Sequence, residues 1–306
     1  MNIKAFKSDL GPAAAVFFIA MLVTVPLRTA HYFSLIESDT GFYSEVTFSV
    51  YLFFAVIVAA ILFFTFFALS KRKTLSYSVH AATRPGFGAL TGLTAAGFVF
   101  DVFACLQKLG SDKYSQIGSY VGSEEASSLA TASFILKLQT AAAIVSAVYF
   151  LVLCLVNLAG KKLPKAVSFI SVFPVIWGML KLVFRFMETI SYIRVSDLIL
   201  EMLMLAFAIM FFMAFAQLNS GISPKYCEWK VAAYGLSAAL LAVICFVPRL
   251  IMTLTGNADL IYDSSSLEYC DICMALLAIC TAFTRIGEKQ PEETVVTPVA
   301  VTASEE

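Results

Sequence analysis

Long apolar runs alternate with short polar pieces along the whole chain. A transmembrane helix needs roughly 20 mostly apolar residues to cross about 30 Å of hydrocarbon. Eight stretches read as spans: residues 12–27, 46–69, 86–105, 129–158, 166–186, 198–218, 231–250 and 267–283. The pieces between them are polar or rich in turn formers, such as Lys71-Arg72-Lys73 and Gly160-Lys161-Lys162-Leu163-Pro164-Lys165. Lipid offers no partner to a free backbone N–H or C=O, so only helices and closed barrels cross it. Barrel strands alternate apolar and polar over about ten residues. Residues 52–67 are apolar on every face. The pattern therefore predicts an all-α polytopic bundle. Residues 1–286 form one transmembrane domain. Residues 287–306, with no apolar period, form a disordered cytoplasmic tail. The first span is short and follows Lys4 and Lys7. No small-x-small cleavage site comes after it, so it reads as a retained anchor.

Composition agrees. Hydrophobic residues make up 60% of the 306 and charged residues 14%, with a mean hydropathy of +0.85. An ordinary soluble domain is about 45–50% apolar and about 25% charged. A nucleic-acid binder and a secreted disulfide scaffold are excluded. The lipid bilayer is the first partner.

Net charge is zero, but the charges are unevenly placed. With the N-terminus inside, the inner segments hold Lys4 and Lys7, Lys71 to Lys73 with Arg84, Lys161, Lys162 and Lys165, Lys225 and Lys230, and Arg285 and Lys289. That is 13 of the 21 cationic side chains. Cytoplasmic loops carry such an excess, which predicts an N-in, C-in topology in the cytoplasmic membrane. Glu37, Asp39, Glu45, Asp112, Glu124, Glu125, Asp259 and Asp263 then lie outside.

Several chemistries lack their residues. Two histidines, His31 and His80, do not make a bis-histidine haem site or a His-rich zinc site. There is no G-x-x-x-x-G-K-[ST] and no G-x-S-x-G. No cofactor and no metal is expected. Cys270 and Cys273 have redox-like spacing, but on a membrane helix packing is the simpler reading. No nucleophile with an adjacent base can be named, so an enzyme is the least supported class.

Ionisable side chains inside spans are expensive and normally face the bundle interior or a water-filled cavity. Here they share one depth. Asp101 is about 15 residues into the third span, roughly 22 Å from the inner end. Lys137 lies in the outer half of the fourth span, Lys181 and Arg185 late in the fifth, and Asp197 and Glu201 early in the sixth. Arg249 ends the seventh, Glu268 and Asp271 open the eighth, and Arg28 closes the first. Trp177, Lys181, Arg185 and Glu188 step by four, four and three, so they share a helix face, as do Asp197 and Glu201. The short connection between spans five and six lets Lys181 and Arg185 meet Glu201 and Asp197.

The expected site is an outward-facing charged pocket lined by Asp101, Lys137, Lys181, Arg185, Glu201, Arg249 and Asp271. Its mixed signs suit a small polar or zwitterionic solute or a lipid headgroup, in a transporter-like protein. Two plainer readings compete: snorkelling for Arg28, Arg185, Asp197, Arg249 and Glu268, and structural ion pairs for the deeper groups. The alternative function is a non-transporting sensor or scaffold subunit that engages a partner protein, for instance through the basic segment 71–85. Tyr32, Tyr43, Tyr51 and Tyr269 are among eight tyrosines near the outer boundary, where an aromatic belt is expected. Gly88, Gly92 and Ala96 form a small-residue face, against either the same chain or a second copy in a homodimer. Pro174 and Pro248 are expected to kink their spans.

Overall fold

The computed structural model describes residues 11–37, 43–72, 84–111, 124–160, 165–188, 195–220, 224–257 and 268–284. The predicted tail at 287–306 and most of the basic segment 71–85 lie outside the described residues. Among those described, regular structure is helical apart from one isolated bridge between Ile36 and Tyr43. The helices are α1 (Gly11–Ser34), α2 (Phe48–Ser70), α3 (Arg84–Leu109), α4 (Glu124–Leu158), α5 (Lys165–Ile170), α6 (Phe173–Glu188), α7 (Val195–Asn219), α8 (Pro224–Leu254) and α9 (Tyr269–Thr284). Seven stretches are long and apolar enough to cross a membrane, and α9 is a shorter apolar helix. The chain is an integral membrane protein built as an all-α bundle.

Six helices close a ring, in which α3 packs on α4, α4 on α6, α6 on α7, α7 on α8, α8 on α9 and α9 on α3. The pair α1 and α2 packs against α8 from outside that ring. Helix α8 is thus surrounded by protein: 89% of its apolar stretch is buried, against 28–44% in the other six. Its sequence fits that position. Ala232, Ala233, Ala238, Ala239 and Ala242 are buried, and small residues let neighbouring backbones approach. The outward faces of the other helices carry exposed side chains such as Leu22, Phe66, Phe134 and Phe186. A water-soluble protein of this size would not leave so many in the open; in a bilayer they face acyl chains.

The ring interior is aromatic. Phe98 of α3 stacks on Phe150 of α4 at 5.5 Å and meets Trp177 of α6 edge-on at 4.8 Å. Several buried serine and threonine hydroxyls across the bundle are satisfied within their own helices. Thr94 donates to the Leu90 carbonyl, Ser146 to Ala142, Ser237 to Ala233 and Thr281 to Leu277.

The expected fifth span is divided, since the chain turns at Ser171 and Val172 between α5 and α6. Pro174 sits in the first turn of α6, where a missing N–H breaks no helical bond. It therefore starts a helix instead of bending one. Pro248 does lie inside α8.

The small-residue face is used within the chain. A Cβ on Gly88 would stand 3.1 Å from Leu158 Cγ, and one on Gly92 3.1 Å from Cys154 Sγ, both on α4. Ala96 is exposed, and Gly97 takes its place in a second contact, with α9. A Cβ there would lie 2.9 Å from Cys273 Cβ and 3.2 Å from Cys270 Cα. Backbone cannot move aside as a side-chain tip can, so Gly97→Ala is expected to destabilise by about 1–3 kcal/mol. Gly86→Ala, with no atom within 4 Å, is expected to lose nothing. Melting of the two purified variants in one detergent checks this, and equal melting points would refute the close α3–α9 contact.

Candidate functional site

The charged side chains gather at one end of the ring, above the aromatic layer. They form one chain of alternating sign. Lys181 on α6 lies 3.7 Å from Asp101 on α3 and 3.2 Å from Asp271 on α9, and also pairs with Glu268. Arg185, one turn further on, pairs with Glu268 and lies 3.5 Å from Glu201 on α7. Arg249 on α8 approaches Glu201 at 2.6 Å and Asp197 at 3.5 Å. Asp197 in turn holds Arg28 of α1. Helices α1, α3, α6, α7, α8 and α9 are tied together in this way.

Each end of the chain rests on aromatic groups. Trp177 Nε1 donates to Asp101 Oδ2 at 2.7 Å, and Lys181 Nζ stands 4.9 Å from the centre of the same indole. Arg28 is 1% exposed. Its guanidinium donates to Tyr43 Oη at 2.6 Å and lies over the Tyr32 ring at 4.9 Å. Tyr32 Oη donates to Asp197 Oδ1 at 2.8 Å. Tyr43 reaches this place because its segment folds back, with Ser44 N–H donating to the Leu35 carbonyl at 2.8 Å. Cations over aromatic faces gain roughly 0.5 to 2 kcal/mol, the larger values where water is excluded.

Six of the seven expected residues, Asp101, Lys181, Arg185, Glu201, Arg249 and Asp271, meet in this network. Lys137 does not. Its side chain is exposed on α4, with no ion pair among the described residues. The buried face of that stretch carries Leu136, Gln139 and Thr140 instead. Lys181 meets Asp101, Glu268 and Asp271, not the acids of α7. Snorkelling does not describe Arg28, which is enclosed.

A cavity of about 270 Å³ opens beside the network, between α3, α4, α6 and the start of α9. Asp101, Lys181, Arg185 and Glu268 form its charged wall, with Cys105, Lys108 and Gln139 nearby and Phe100, Phe103 and Phe184 on its apolar side. Glu201, Arg249, Asp271 and Lys137 do not line it. Gln139 is 3% exposed. Its Nε2 donates to Cys105 Sγ at 3.4 Å, while its Oε1 has no hydrogen-bond partner. Sequence reasoning passed over Gln139 because it is uncharged. The signal was there: Ser133, Thr140, Ala143 and Ala147 mark a small or polar stripe at helical spacing, and Gln139 belongs to it.

No group of three or more His, Cys, Asp and Glu suited to a metal occurs among the described residues. Comparison with family models, curated proteins and solved structures finds no match for this chain.

Removing one partner of a buried ion pair strands the other charge, at about 3–5 kcal/mol. Arg249→Met leaves Glu201 to Arg185 and Asp197 to Arg28, with two acids one turn apart on α7 short of a cation, and is expected to lower the melting point by up to that order of destabilisation. Lys137→Gln is expected to stay within about 0.5 kcal/mol of the parent. A melting point unchanged by Arg249→Met would show that the network is not what holds α7 to α8 at this end.

Proposed function

We propose that this protein binds a small polar solute in the cavity between α3, α4 and α6, as a transporter-like protein of the cytoplasmic membrane. The distribution of lysine and arginine supports placing the charged end outside, with both termini inside. One observation carries the reading. The charged cavity wall, Asp101, Lys181, Arg185 and Glu268, is one end of the ionic network, and these side chains themselves join α3, α6, α7 and the start of α9. A solute that bonds to any of them competes with an interhelical pair, and so acts on helix packing.

The energetics support a role beyond holding the bundle. Well-packed apolar residues would join these helices at least as well as buried ion pairs do. Buried charges that exchange partners, by contrast, supply alternative arrangements of similar energy, which a binding step can choose between.

A solute that binds only the folded protein raises its stability, by about 2.7 kcal/mol at 100 times Kd. Ala104 lines the cavity and is exposed. Ala104→Trp is expected to fill the cavity without breaking an ion pair. The test is a melting-point titration of the purified full chain against polyols, organic cations, carboxylates and zwitterions. At least one class is expected to stabilise the parent and to lose its effect in Ala104→Trp. No stabilisation by any of them, or an effect that survives Ala104→Trp, would remove the proposal.

A further inference from the structure

The cavity's polar groups can be taken one at a time. The Asp101 carboxylate is occupied by Lys181, by the Trp177 indole and by the Cys105 thiol, whose Sγ is 3.9 Å from Oδ2. Lys181 has three carboxylates around it, and Glu268 is shared between Lys181 and Arg185. Besides the exposed Gln107 and Tyr269, two groups are left over. Gln139 Oε1 is a buried acceptor without a donor. Lys108, in the last turn of α3, has no carboxylate within ion-pair distance among the described residues; its ammonium stands 5.8 Å from the centre of the Phe184 ring.

The orientation of the Gln139 amide follows from its neighbour. The Cys105 thiol donates to Asp101, so its sulfur is left as an acceptor. It takes the Gln139 N–H, and the amide oxygen is the end that remains. A buried acceptor without a partner is a standing penalty that a ligand relieves by donating to it. An ammonium held only by a ring face gains most from an anionic oxygen. The two demands have opposite sign. A purely anionic ligand would satisfy Lys108 and leave Gln139, and a purely cationic one would do the reverse and crowd Lys108.

We infer that the cavity recognises a small zwitterion of the amino-acid type, with Lys108 taking its carboxylate and Gln139 Oε1 accepting from its ammonium. Phe100, Phe103 and Phe184 leave the apolar side of the cavity for a hydrocarbon side chain. The volume, about 270 Å³, lies just below the roughly 300–1,000 Å³ of pockets for drug-sized ligands, as a smaller solute requires. This deepens the proposed function and rests on it.

The test uses the purified full chain in nanodiscs and three probes of one shape: L-phenylalanine, 3-phenylpropionate without the amine, and phenethylamine without the carboxylate. A second set is built on L-leucine in the same way. Charge-assisted hydrogen bonds are strong enough that the zwitterion is expected to bind roughly tenfold or more tightly than either truncated probe. Lys108→Gln is expected to erase its advantage over the amine, and Gln139→Leu its advantage over the acid. Gln139→Leu replaces an unsatisfied acceptor by an apolar group, so it should melt no lower than the parent, which separates loss of binding from loss of fold. The inference is overturned, with the cavity reading intact, by any of three results: truncated probes binding as tightly as the zwitterion, full preference in both variants, or binding only by solutes of other classes that Ala104→Trp blocks. If no probe of any class binds, both fall.

Discussion

A charge inside a bilayer must face another charge, a dipole or water, and every arrangement at the polar end of this bundle follows from that demand. The cations of α6 and α8 do not rely on one acid each. Lys181 faces three carboxylates, Arg185 two and Arg249 two. Glu268, Glu201 and Asp197 are shared likewise, so the pairs form a chain and not a set of isolated bridges. Sharing lowers the entropy lost per contact, because each side chain, once held by one partner, is already placed for the next. It also means that no member can be moved alone.

The aromatic layer below is the complement of the ionic layer. Phe98, Phe150 and Trp177 are fully buried and packed ring on ring next to Asp101 and Lys181, an apolar surrounding in which an ion pair is stronger than in water. Trp177 belongs to both layers, packing its ring on Phe98 while its N–H holds Asp101. Helix α8 serves the same division along its length: small residues pack against four neighbours over most of it, and Arg249 appears only near its end. Its charges stand only near its two ends, Lys225, Glu228 and Lys230 at the start and Arg249 toward the finish, with an uncharged packed stretch between them.

The spans were plain in the sequence because lipid imposes a composition that nothing else imitates. The depth of the charges was plain for the same reason, since an apolar run makes every interruption countable. What counting along one axis leaves out is rotation about it. Lys137 has the right depth and the wrong face; Leu136, Gln139 and Thr140, one to three residues away, hold the inward side. Arg28 has the opposite history. Its position at a helix end suggests the interface, but the segment that returns through Tyr43 closes over it, and the contact that seats this segment, between Ile36 and Tyr43, has no local sequence signal. Pro174 shows a third kind of gap. A proline in an apolar run marks a break, yet whether it bends one helix or begins another depends on the residues before it, here the turn at Ser171 and Val172.

The alternating chain also gives α1 a place in whatever the cavity does. Cavity and Arg28 are joined by Glu268, Arg185, Glu201, Arg249 and Asp197 in sequence, each touching the next. Coupling over such a distance requires elements with two discrete arrangements, not simple adjacency. Carboxylates shared between two cations meet that requirement in principle: Glu201 between Arg185 and Arg249, and Asp197 between Arg249 and Arg28, can each favour one side or the other without leaving the network. A ligand that draws Arg185 or Lys181 toward the cavity releases one acid toward the next cation along. Arg249 then loses some of its hold on Asp197, and Arg28 gains it. Helix α1, which meets the ring chiefly through α8, is tied directly to α7 by the Arg28–Asp197 pair, and under the proposed binding step the strength of that pair would depend on the far end of the chain.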